Sequence, residues 1–84
     1  MKPVEIYTTP TCPYCLAAKR LLNRKGVPFV ETDVSRDPAQ RRVMMDRSGG
    51  YTVPQIFIGG QPVGGSDDLH ALEHRGQLDA LLAD

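Results

Sequence analysis

Val4-Glu5-Ile6-Tyr7 alternates apolar and polar positions and is rich in β-branched and aromatic side chains, so a first strand is predicted there. Thr8 to Thr11 form a polar, proline-containing loop. From Pro13 the period lengthens. Ala17, Ala18, Leu21 and Leu22 recur at three- and four-residue spacing, which predicts a helix with one apolar face. Pro13 suits its first turn, where the missing N–H has no partner in any case. Arg20, Arg24 and Lys25 gather at the carboxyl end, where positive charge offsets the helix dipole, and Gly26 reads as the stop. Val27 to Val34 predicts a second strand with Phe29 and Val30 at its apolar heart. Ser35 or Asp37 can cap a second helix from about Pro38 to Ser48, ended by Gly49-Gly50.

The second half is patterned differently. Gln55-Ile56-Phe57-Ile58 is a dense apolar run of the kind a buried strand presents. Gly59-Gly60 is a tight-turn signal, and Gln61-Pro62-Val63-Gly64 pairs back to complete a hairpin. Gly64-Gly65-Ser66-Asp67-Asp68 leads into a third helix with Leu69 and Leu72 facing inward; Leu78, Leu81 and Leu82 predict one more short amphipathic turn. A strand, helix and strand in that order make a crossover unit with two parallel strands. The whole order, βαβ then ββα, predicts an α/β fold with a four-stranded mixed sheet flanked by helices. No repeat, linker or low-complexity tract divides residues 1–84, which read as one domain.

Composition narrows the function classes. The ten basic and ten acidic side chains cancel, so nothing electrostatic points to nucleic acid or an anionic membrane. No run approaches the ~20 apolar residues of a membrane span, and the amino-terminal residues lack a signal-length apolar stretch. A cytoplasmic protein is the expectation. Thiols are kept reduced there, and a lone cysteine pair is more often catalytic or metal-binding than a permanent staple.

That pair is Cys12 and Cys15, the only cysteines in the chain, behind the first strand and at the head of the first helix. Three readings compete. A crosslink closing so short a loop removes little chain entropy and stabilises weakly. A zinc site could draw on His70 and His74, one helical turn apart, but most of the chain separates them from the cysteines and already supplies regular structure. A solvated helix face explains the two histidines equally well. The third reading is a reactive dithiol. Unpaired N–H groups and the dipole at a helix start favour thiolate over thiol, and such positions lower a cysteine pKa from ~8.5 into the range ~3.5–7.5. Cys12 can accept from the amides of Tyr14 and Cys15. Cys15, one turn inside, should be more buried and less acidic. Cys12 is then expected to attack and Cys15 to resolve. A C-x-x-C behind a strand of a crossover unit is a signal for thioredoxin-like redox chemistry.

Cys12-Pro13-Tyr14-Cys15 resembles the active-site motif of dithiol glutaredoxins. Thr52-Val53-Pro54 and Gly64-Gly65-Ser66-Asp67-Asp68 follow in the order and spacing of that family, so the resemblance runs from "VEIYTTPTCPYC" through "SGGYTVPQIFIGGQPVGGSDDLHAL". The chain is most similar to the short, single-domain bacterial type. The resemblance implies a thioredoxin-like fold, a cis peptide at Val53-Pro54 facing the dithiol, and glutathione as reducing co-substrate with no permanently bound cofactor and no metal. It further implies a glutathione groove. The backbone at Thr52, Val53 and Pro54 would hold the cysteinyl part, and the amides around Gly65, Ser66 and Asp67 the γ-glutamyl carboxylate, as helix starts do for anions. Asp67 would meet the ammonium, Tyr14 would form a wall, and Arg41 is a candidate for the glycyl carboxylate. Two departures stand out. Many relatives carry lysine where this chain has Thr9, and some carry a third cysteine where it has Ser66.

The expected function is glutathione-dependent thiol–disulfide oxidoreduction. Cys12 and Cys15 would reduce protein disulfides and protein–glutathione mixed disulfides. The expected partners are glutathione and disulfide-containing or glutathionylated proteins, with the chain acting as a monomer and binding neither nucleic acid nor membrane. Two alternatives remain at this point: a thioredoxin-like reductant recharged by a flavoprotein reductase, and an iron–sulfur module using Cys12 and glutathione.

Overall fold

The computed structural model describes residues 1–84 and contains eight elements. They are β1 (Val4–Thr8), α1 (Pro13–Arg24), β2 (Val30–Asp33), α2 (Pro38–Ser48), β3 (Gln55–Ile58), β4 (Gln61–Gly64), α3 (Ser66–His74) and α4 (Leu78–Leu82). The strands form one sheet in the order β2-β1-β3-β4. β1 pairs with β2 in parallel and with β3 antiparallel, and β3 pairs antiparallel with β4. This is the predicted mixed sheet of a thioredoxin-like fold. No helix is long and apolar enough to cross a membrane.

Period-two alternation sends successive residues of the central strands to opposite faces. Val4, Ile6, Ile56 and Ile58 enter the larger core, with Ala18, Leu21 and Leu22 of α1, Val27, Leu69 of α3, and Leu78 and Leu82 of α4. Tyr7 and Phe57 point the other way and meet Met44 of α2 and Val34 in a smaller cluster. The α2 layer is therefore thinly greased, and a polar clamp assists it. Arg47 donates to both carboxylate oxygens of Glu5 at 2.9 Å and to the Tyr7 hydroxyl at 2.9 Å. Its guanidinium lies 4.0 Å from the centre of the Phe57 ring. The Arg47 guanidinium holds the Glu5 carboxyl below the usual carboxylate range. Both partners are partly solvated, so the ion pair itself contributes about 0–1 kcal/mol.

The second strand departs from the sequence expectation. It spans only Val30–Asp33, and Val27 to Phe29 precede it as irregular chain. Val30 is 67% exposed rather than the strand's apolar heart, while Phe29 packs against the larger core. The reason is topological. β2 is an edge strand, and beyond it on the α2 side there is no helix to cover Val30. The helix ends follow local chemistry. Asp37, not Ser35, caps α2 by accepting from the Gln40 amide at 3.1 Å, and Gly49 closes it at φ 76°.

Phe57 is fully buried, edge-on to Tyr7 at 5.7 Å between ring centres, and under Arg47. Phe57→Ala removes the centre of the α2 interface. Urea unfolding should register a loss of about 3–5 kcal/mol; a loss below about 1 kcal/mol would show that Arg47 and Met44 hold α2 without it.

Candidate active site

The chain turns from β1 through a polar loop and starts α1 with Cys12 as its N-cap. The N-cap position is ordinarily filled by a side chain whose oxygen accepts from the amides of the first turn. Here sulfur takes that place, accepting from the Cys15 N–H at 3.1 Å. The sulfur thereby satisfies one of the amides that the helix start leaves without a backbone partner. Of the two amide donors expected from the sequence, Cys15 is the one bonded to Cys12. The Cys12 thiol also reaches the Val53 carbonyl at 3.7 Å. Both cysteines are free thiols.

Cys15 differs in every respect. It is 1% exposed, facing the interior of α1. Burial pushes its thiol up to about 12; the hydrogen bond and charge of Cys12 add to this, while the Thr9 backbone and the Lys19 ammonium oppose it. The asymmetry anticipated from the helix register is present. One sulfur is partly open to solvent and held by an amide, and its neighbour is protonated and enclosed.

Beside Cys12 lies a groove of about 520 Å³, within the usual size of small-molecule sites. Tyr14, Thr52, Val53, Pro54, Gly65, Ser66 and Asp67 all line it, so seven of the groove residues anticipated from the sequence converge. The Val53-Pro54 peptide is cis. Tyr14 stands 63% exposed at the rim. Arg41 is not among the lining residues; its guanidinium donates to the Tyr51 carbonyl at 3.0 Å and so supports the loop that leads into the groove.

The start of α3 is built differently from expectation. The Gly65 N–H donates to the Asp68 carboxylate at 2.9 Å, so that amide is committed within the chain. The amides of Ser66 and Asp67, in the first turn of α3, are the ones left for an anion. A Cβ on Gly65 would meet only the Pro54 carbonyl, at 3.5 Å, so this glycine keeps the groove floor low rather than relieving a clash. The glycine the fold does require is Gly64. Its φ is 113°, and a Cβ there would strike the Asp68 carboxylate. Gln55 was also missed by the sequence reading. It is buried, lines the groove, and donates to the Thr52 carbonyl at 3.0 Å, fixing the loop before the cis proline. A polar residue at the head of an otherwise apolar strand was the available signal. Asp68 announced itself by its spacing, three residues after the cap.

His70 and His74 lie on α3, where His70 Nδ1 is 2.8 Å from the Ser66 carbonyl. No three His, Cys, Asp or Glu side chains come together in a metal-binding group.

A strand, a cysteine-capped helix and a cis proline facing the dithiol define a thioredoxin-fold dithiol oxidoreductase. Comparison with known proteins is more specific. The glutaredoxin family profile matches residues 4–63. A glutaredoxin from Pseudomonas aeruginosa is 57% identical over 83 residues, covering 99% of this chain and 99% of the relative. The solution structure of glutaredoxin from Brucella melitensis superposes with a TM-score of 0.86 at 58% identity, over 98% of this chain and 89% of that one. The buckwheat glutaredoxin–glutathione complex gives a TM-score of 0.88 at 26% identity, over 96% and 76%. The chain belongs to the glutaredoxin family and is a glutathione-dependent thiol–disulfide oxidoreductase of the bacterial type.

Two outcomes follow from this geometry. Reduced protein treated with limiting iodoacetamide at pH 7 should carry label on Cys12 and almost none on Cys15, read by peptide mass. Cys15 should gain label only as pH climbs toward its raised pKa, about 12; equal labelling at pH 7 would contradict the burial argument. Gly64→Ala should lower stability by about 1–3 kcal/mol, since it combines a strained φ with displacement of Asp68. In a domain of this size each kcal/mol moves the thermal midpoint by about 4–8 °C.

Proposed function

We propose that residues 1–84 act as one domain that reduces protein–glutathione mixed disulfides through Cys12 alone and protein disulfides through Cys12 and Cys15 together. The observation that carries this reading is the position of Cys12 Sγ, bonded to the Cys15 amide and 3.7 Å from the Val53 carbonyl at the edge of the groove. The complex of the buckwheat relative with glutathione supports glutathione as the occupant.

Glutathione is an extended tripeptide with two carboxylates, one ammonium and a central thiol. Backbone at Val53 can pair with its cysteinyl unit as an added strand does. The amides of Ser66 and Asp67 suit the γ-glutamyl carboxylate, and the Asp67 carboxylate suits the ammonium. Pro54 offers no N–H, and Tyr14 forms one wall of the groove. Arg41 would reach the glycyl carboxylate only by leaving the Tyr51 carbonyl, so its contribution is small.

In the first step the Cys12 thiolate attacks the glutathionyl sulfur. The sulfur–sulfur bond to the substrate protein breaks as the Cys12–glutathione disulfide forms, and the protein thiolate leaves and takes a proton. A second glutathione thiolate then attacks the glutathionyl sulfur on Cys12, forming glutathione disulfide and returning the Cys12 thiolate. With a protein disulfide, Cys12 forms the mixed disulfide with protein. Cys15 displaces the protein thiol, leaving a Cys12–Cys15 disulfide for glutathione to reduce. The rate of each exchange depends on the thiolate fraction of the attacking sulfur and on how readily the displaced sulfur leaves. These reactions need a reducing glutathione pool, which supports the reading of a cytoplasmic protein; a monomer meeting disulfide-containing or glutathionylated proteins completes the proposal.

Cys12→Ser should abolish turnover of every disulfide substrate. Cys15→Ser should retain reduction of a glutathionylated peptide within a few-fold while losing reduction of a protein disulfide. Equal loss on the glutathionylated peptide in both variants would refute the division of roles. Recycling by a thioredoxin reductase in place of glutathione would refute the choice of reductant.

A further inference from the structure

Cys12 lines one concavity and meets a second only through the Val53 carbonyl. Opposite the glutathione groove lies a smaller cleft of about 310 Å³, lined by Thr9, Cys12, Cys15, Leu16 and Lys19 among others. Lys19 sits one helical turn beyond Cys15 on the same face of α1. Its ammonium is not free to wander. Nζ is 2.9 Å from Glu31 Oε2 on β2, and the same oxygen accepts from the Thr8 hydroxyl on β1 at 2.7 Å. Lys19 forms part of the cleft wall, and Glu31 holds it from outside, the two side chains being 29% and 38% exposed.

We infer that Lys19, held in register by Glu31 and Thr8, sets how readily Cys15 gives up its proton, and thereby the rate at which a mixed disulfide on Cys12 is resolved. This rests on the redox reading of the dithiol. Glu31 and Thr8 are positioning residues. Lys19 acts on Cys15 through space.

The charges around Cys15 change as the reaction proceeds. In the reduced protein the Cys12 sulfur discourages ionisation of its neighbour. Once Cys12 is tied up in a mixed disulfide it carries no charge, and that opposition disappears. What remains is burial against ionisation, with the Thr9 backbone and Lys19 in favour. Glu31 and Asp33 on β2 also lie at this end, with Arg36 beside Asp33; Glu31 is held below the usual carboxylate range by Lys19 and Thr8 and so stays anionic. On α3, Asp67 and His70 flank a separate concavity with Leu21 and Arg24. Lys19 is thus the one cation lining the cleft, and its net field at Cys15 is set by how much of it Glu31 cancels. Thr9, on the same cleft, is uncharged, so no second cation assists Lys19 there.

The chemical step balances without an added reagent. Cys15 releases its proton to solvent through the cleft, and its thiolate attacks Cys12 Sγ. The bond from Cys12 to the substrate sulfur breaks. The substrate leaves as a thiolate, and the dithiol is oxidised by the two electrons the substrate disulfide has gained.

Stopped-flow reaction with dithiobis(nitrobenzoate) separates the two events. The first thionitrobenzoate reports attack by Cys12 and depends on reagent concentration. The second reports ring closure by Cys15 and does not. Lys19→Gln should slow the second phase about three- to tenfold below its plateau and move its pH profile upward, the size expected of one partly screened charge a helical turn away. The first phase should change less than twofold by the same reasoning about distance and screening. Lys19→Arg should restore the second phase. Glu31→Gln keeps an oxygen acceptor for the ammonium but removes the anion, so it should speed ring closure and move the profile downward. A merely structural Lys19–Glu31 bridge would push both variants the same way. An unchanged second phase in Lys19→Gln, an equal fall in both phases, or a slower second phase in Glu31→Gln each overturns the inference. Loss of the first phase in the unmodified protein would overturn the redox reading itself.

Discussion

A single amide-to-sulfur hydrogen bond organises this molecule. The Cys15 N–H points at Cys12 Sγ because α1 begins where it does, and α1 begins there because Pro13 can occupy its first turn without wasting a donor. The cap that starts the helix is thus also the sulfur that reacts. Sequence, helix start and nucleophile are one feature seen at three scales. The same register carries Cys15 into the interior, so a two-residue spacing yields two thiols of opposite character.

The rest of the fold brings other segments to that sulfur. The central pair β1 and β3 runs antiparallel, which sets the loop after β1 and the loop before β3 at the same end of the sheet. Cys12 and the Val53-Pro54 peptide meet there. The β3–β4 hairpin then returns the chain so that α3 starts at the same end, and its first amides complete the groove. The three segments of the site need not lie near one another in sequence, because the topology gathers three loops at one edge.

Much of this was legible in the residues. The element order, the caps and stops, the dithiol asymmetry and seven groove residues follow from spacing, local chemistry and the family resemblance. What was not legible depends on tertiary placement. Val30 reads as core because it is apolar and β-branched, but an edge strand without a covering helix leaves it in solvent. Gly65 reads as an anion donor until the Asp68 carboxylate is seen to claim its amide. Arg41 reads as a ligand clamp because it is basic and near the groove in sequence, whereas its nearest acceptor is the Tyr51 carbonyl. In each case a local pattern was satisfied by a neighbour that only the folded chain supplies.

The unequal filling of the two sheet faces has its own consequence. Eleven buried residues pack the α1 and α3 side and four the α2 side, so resistance to local opening is distributed unevenly. The less securely fastened helix is the one whose end, Ser48 to Gly50, lines the groove. The sulfur chemistry is therefore mounted on the stiff half of the molecule and one jaw of the binding cleft on the compliant half. The groove therefore takes its walls from both cores, while the helix that carries the two thiols packs on the larger one alone.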